Sequence, residues 1–113
     1  MKIAFVTAPP QEANSLARRA VESGVAACVN VVPGITSHYR WQGEHHADGE
    51  TLLIAKISEE MVTEFIARIR EWHSHSCPEV VVVDVTGGNA DYISWVESSS
   101  RNVLREEENE GSM

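Results

Sequence analysis

Apolar positions along this chain alternate between two periods. Lys2 to Thr7 (KIAFVT) is a short apolar run of β-formers, stopped by Pro9 and Pro10, and predicts a buried strand. Ala13, Leu16, Ala17, Ala20 and Val21 then recur at helical spacing. Pro10 suits the first turn of that helix, and Gly24 the residue just past its end. Val25 to Trp41 is a long β-rich run interrupted at Pro33-Gly34. Proline cannot donate to a ladder, so the interruption predicts a bulge or an edge position. Gln42 to Gly49 reads as a polar turn, and Glu50 to Ser58 returns as a strand, completing a long hairpin. Ser58 is placed to cap the next helix, with Glu59 and Glu60 in its first turn and Val62, Phe65, Ile66 and Ile69 as its apolar stripe. That helix must end before Pro78. Glu79 to Thr86 predicts a fourth strand, and Asn89 caps a last helix carrying Tyr92, Trp95, Val96, Val103 and Leu104.

The resulting order, β-α-β-β-α-β plus a C-terminal helix, predicts an α+β fold, a ferredoxin-like sandwich with two helices on one face of an antiparallel sheet. It occupies one domain, residues 1–105, followed by a solvated acidic tail at 106–113. The third and fourth strands are almost wholly apolar, although only one sheet face can meet the helices. The other face is expected to meet another subunit, so the chain should oligomerise.

Composition narrows the function classes. With 42% hydrophobic and 23% charged residues the chain is not of disordered type. A formal charge of -8 with no basic stripe excludes nucleic acid as an expected partner. No apolar run approaches the roughly 20 residues of a membrane span, and the N-terminal apolar stretch is too short for a signal peptide, so a cytoplasmic protein is expected. Two cysteines, Cys28 and Cys77, make no disulfide framework and are read as thiols.

The stretch WHSHSCPEV places His73, His75 and Cys77 at every second position. Imidazole and thiolate are ligands that copper and zinc prefer, and in an extended segment these three share one side. Successive ligands would lie about 6.5–7 Å apart, wide for one ion without a turn. The alternative is a polar helix-to-strand connection. His45 and His46 form a second imidazole pair, read as loop-borne at the hairpin tip. Cys28, among Ala26, Ala27 and Val29, is either a small buried hydrophobe or a soft ligand for copper. The Gly87-Gly88 pair is read as a turn, since Asp91 would repel an anion there. No nucleophile elbow or placed carboxylate pair is present, so no enzyme is expected.

Several blocks together resemble the CutA family, associated with divalent-cation tolerance. VTAP (Val6 to Pro9), GVAACVNVVPGITSHYRWQGE (Gly24 to Glu44), Glu50 with Lys56, His73 with Pro78 and Glu79, and DYISW (Asp91 to Trp95) fall in the family's order. The resemblance covers about residues 3–97 and implies a homotrimer in which the long second and third strands pair across neighbours. Tyr39, Trp41, Tyr92 and Trp95 would then fill subunit interfaces, and with Glu50 and Lys56 they would line an inter-subunit cleft. The PII signalling proteins share this architecture, so a small effector in such clefts is the alternative to a metal ion, and a non-catalytic scaffold a third reading. No obligatory cofactor is implied; copper or another divalent ion is the candidate ligand. Of the family block around His73, only His73, Pro78 and Glu79 match, so His75 and Cys77 are local to this chain. Some family members are associated with copper through a cysteine and a histidine at positions that here hold Val6 and Trp72.

Overall fold

The structure, a computed structural model, describes residues 1–101. Strand β1 (Lys2–Ala8) leads into helix α1 (Pro10–Glu22), then β2 (Cys28–Trp41), β3 (Glu44–Ile57), a 3-10 turn (Glu59–Met61), α2 (Val62–Trp72), β4 (Val80–Asp84) and α3 (Ala90–Ser99). The strands form one antiparallel sheet in the order β2-β3-β1-β4, the ferredoxin-like arrangement. Pro10 opens α1 as expected, and Gly24 follows its end with φ 84, a left-handed conformation that glycine adopts without a Cβ penalty.

Alternation sorts the sheet into two faces. Ala4, Val6 and Ala8 of β1 and Leu53, Ala55 and Ile57 of β3 are buried against Ala13, Leu16, Ala17 and Ala20 of α1 and Phe65 and Ile69 of α2. The alanines let α1 lie close to the sheet. The guanidinium of Arg19 sits 4.5 Å above the Trp72 ring and ties α1 to α2. On the opposite face, register aligns Ile54, Phe5 and Val81 in one row across the sheet, with the Val32–Leu52 pair on one side of it and the Ile3–Val83 pair on the other. Val81 is 50% exposed and Val83 40%. Among the described residues only α3 leans on the end of this face. Its Val96 is fully buried, and Ser100 just past its end is held by Ser58.

Two expectations change. The turn between β2 and β3 has two residues, Gln42 and Gly43, in place of the eight from Gln42 to Gly49, because both adopt positive φ (51 and 81) and close a tight hairpin. Ser58 caps no helix: its amide donates to Ser100 Oγ at 2.9 Å and its hydroxyl to the Ser100 carbonyl at 2.8 Å, while Ser100 Oγ donates to the Val25 carbonyl at 3.3 Å. A buried polar pair has displaced the cap. Asn89 does cap α3, accepting from the Asp91 amide at 3.0 Å. Val103, Leu104 and the acidic tail lie outside the described residues.

Candidate functional site

The ladder of β1 with β3 ends at Ala8 and Thr51, but β2 and β3 continue together to Trp41 and Glu44. The bulge at Pro33-Gly34, with Gly34 at φ 81, re-aims this extension. Facing it is the connection from α2 to β4, which begins at His73, where the backbone turns extended (φ -72, ψ 141). Between the two runs an open groove of about 840 Å³, lined by Tyr39, Trp41, Asp48, Glu50, His75, Cys77 and Glu79, with Thr7 and Pro9 among its other walls.

His73 lies beneath this groove, and its ring is fully buried. Nε2 contacts the Thr7 carbonyl at 2.9 Å, and Nδ1 contacts the His75 amide at 3.0 Å. An amide can only donate and a carbonyl can only accept, so the ring is neutral with its proton on Nε2, and both nitrogens are engaged. Glu12 Oε1 accepts from the Ser74 amide at 3.2 Å and stands 3.7 Å from His73 Nδ1. Burial alone would raise the Glu12 carboxyl; the hydrogen bonding from Ser74 and the electrostatic attraction of the neighbouring His73 and His75 imidazoles outweigh it and hold the carboxyl below its ordinary value. His73 thus pins the connection to β1 and α1, and the expected convergence of His73, His75 and Cys77 on one ion does not occur. Among the described residues no three His, Cys, Asp or Glu side chains are gathered to hold a metal ion.

Both sets of residues expected from the sequence contribute to the groove. His75 and Cys77 come from the ligand set, Tyr39, Trp41 and Glu50 from the cleft set. Lys56, Cys28, Tyr92 and Trp95 do not join it. Cys28 pairs with Lys56 at the other end of the β2–β3 ladder. Tyr92 packs by Cys28, where burial and then the thiol raise its phenol, and its ring is 5.8 Å from that of Trp95. Sequence reading missed Asp48, which accepts the Tyr39 hydroxyl proton and, through that hydrogen bond first, raises the Tyr39 phenol. The missed signal was the turn. Once Gln42-Gly43 is the tip, Tyr39 falls opposite His46 and Ser37 opposite Asp48. His45 and His46 are therefore strand residues on opposite faces, His46 stacked on Tyr39 and His45 beside His38.

The profile of the CutA1 family, described as divalent ion tolerance protein, matches residues 2–99. The chain is 37% identical over 100 residues to the divalent-cation tolerance protein CutA of Thermus thermophilus, covering 88% of this chain and 97% of that one. It is 39% identical over 101 residues to the chloroplastic protein CutA of Arabidopsis thaliana, covering 88% of this chain but spanning only 56% of that relative. Among solved structures, the Thermus thermophilus protein superposes with a TM-score of 0.86 at 36% identity, covering 89% of this chain and all of that one. A structure described as the PII-like protein CutA from Nostoc sp. PCC 7120, in apo form, gives 0.86 at 35% identity, covering 90% and 99%.

Proposed function

The chain belongs to the CutA1 divalent ion tolerance family, and from that premise we propose that it is a non-enzymatic, cytoplasmic homotrimer that supports divalent-cation tolerance by holding a copper-class ion weakly in the groove beside the β2–β3 hairpin. The observation carrying this reading is that an imidazole, a thiol and three carboxylates, those of Asp48, Glu50 and Glu79, line one open groove. Soft and borderline ligands face an acidic wall, a combination that suits copper or zinc. The groove is too wide for all of them to reach one ion, so affinity is low, with His75 and Cys77 the primary ligands. His73 acts as a positioning residue, because its nitrogens are spent on Thr7 and His75. The half-buried Cys28 is remote from this groove and takes no part in it. Trimerisation is supported by the apolar sheet face opposite the helices and by Tyr39 and Trp41, 42% and 55% exposed on the groove wall. A competition titration of untagged protein with Cu²⁺ and Zn²⁺ tests the site. His75→Ala combined with Cys77→Ser should weaken binding by roughly tenfold or more; unchanged affinity would overturn the assignment.

The size of the groove favours a second reading, in which it takes a small organic effector, as in a PII-like signalling trimer. Ligand sites commonly occupy about 300–1,000 Å³ with aromatic walls and a few polar groups. A thermal-shift screen against nucleotides and metabolites discriminates. An effector that raises Tm in the wild type but not in Tyr39→Ala supports this reading.

A further inference from the structure

The two-residue turn brings together a pair of histidines that lie seven positions apart. Arg40 is directly opposite His45 and Ala47 opposite His38, so His38 and His45 are diagonal neighbours on one face of the extension. Their rings are almost parallel (8°), the centroids 5.3 Å apart, and His38 Nδ1 lies 3.1 Å from His45 Nε2. A centroid separation that exceeds the nitrogen separation by about two ring radii places both nitrogens on the line between the rings. One imidazole N–H therefore donates to the other's lone pair. Both side chains are exposed.

We propose that this cross-strand pair is a transition-metal chelate, in which a divalent ion of the copper, nickel and zinc class takes the place of the hydrogen-bonded proton between His38 and His45, that proton passing through water to the other nitrogen of the donor ring so that both rings ligate as neutral imidazoles. Two imidazole nitrogens bound to one ion at about 2.0–2.1 Å stand roughly 2.9–3.4 Å apart for angles between square-planar and tetrahedral. The observed 3.1 Å falls in that interval. The exposed rings need only tilt out of their common plane for both lone pairs to meet off the line between them, and water completes the coordination. The strands supply the pre-organisation, because the ladder fixes both backbones before any ion arrives. Charge is mixed: Arg40, paired with His45 on the same face, opposes a cation, while Glu44, Asp48 and Glu50 lie on the opposite face of the extension. The order of affinity is Cu²⁺ above Ni²⁺ and Zn²⁺. The site is separate from the groove assignment: His38 borders the groove, but its Nδ1 is turned to His45, and neither His75 nor Cys77 takes part.

The test uses the untagged full chain titrated with Cu²⁺ alone, read by paramagnetic broadening of the imidazole resonances and by competition with a chelator. Broadening of His38 and His45 ahead of His46, with affinity reduced roughly tenfold or more in both His38→Gln and His45→Gln and unchanged in His46→Gln, is the expected result. The double variant should be no weaker than either single one, since one imidazole alone forms no chelate. The expected loss persists when His75→Ala and Cys77→Ser are already in place, which separates this site from the groove. Circular dichroism verifies that the exposed substitutions leave the fold intact. Equal affinity in wild type and His45→Gln, or an equal loss in His46→Gln, would overturn the proposal.

Discussion

At the scale of single residues, His73 is a side chain whose sequence context pointed to ligation and whose surroundings give it a structural task. Histidine beside histidine and cysteine reads as a ligand set; nothing local says that the ring will turn inward to meet Thr7, 66 positions earlier. Deleting it leaves a buried carbonyl and an amide short of partners and opens a cavity. His73→Ala should therefore cost about 2–4 kcal/mol in urea denaturation, and His73→Gln, which keeps a donor, clearly less. Glu12 adds a pH dependence. Its folded pKa lies below the ordinary 4.5, so its contribution is present above that value and is lost as pH falls through the depressed folded pKa. Acid unfolding followed by fluorescence should show a shallower loss of stability below about pH 4.5 in Glu12→Gln than in the wild type. Ser100 makes a similar point in the core. Ser100→Ala strips the Ser58 amide of its acceptor and should cost about 1–3 kcal/mol, read by the same denaturation.

At the scale of elements, periodicity located the four strands and three α-helices of the described residues, because burial on one face writes itself into the spacing of apolar residues. It failed where both faces are wet. Glu44 to Glu50 has no apolar alternation, so polarity suggested a loop, while backbone geometry at Gln42-Gly43 makes it a strand. The site followed the same divide: His75, Cys77 and Glu50 were legible as residues, whereas Asp48 and the His38–His45 pair depend on register, which a one-residue change in the turn would invert. A Cβ at Gly43 would meet nothing within 4 Å, so the cost of Gly43→Ala is conformational, about 1–2 kcal/mol by thermal unfolding. Gln42→Asn, better suited to positive φ, should offset part of that loss when combined with it.

At the scale of the molecule, the radius of gyration of 15.4 Å exceeds the roughly 13 Å of a compact chain this long, and the longest dimension is 55 Å. The exposed valines of β4 face outward from the same body. A charge at Val81 should lower the association state in sedimentation velocity, whereas Val21→Lys, 43% exposed on α1, should leave it unchanged. The extension of β2 and β3 projects beyond the rest of the sheet. Seven residues a side reach about 23 Å past the last β1 pairing. A two-stranded ribbon alone is marginal in water. Its amides from Ile35 to Trp41 should consequently take up deuterium quickly in dilute solution and slowly once neighbouring copies clasp the arm, so that isotope uptake at this one segment reports how crowded the protein is with its own kind.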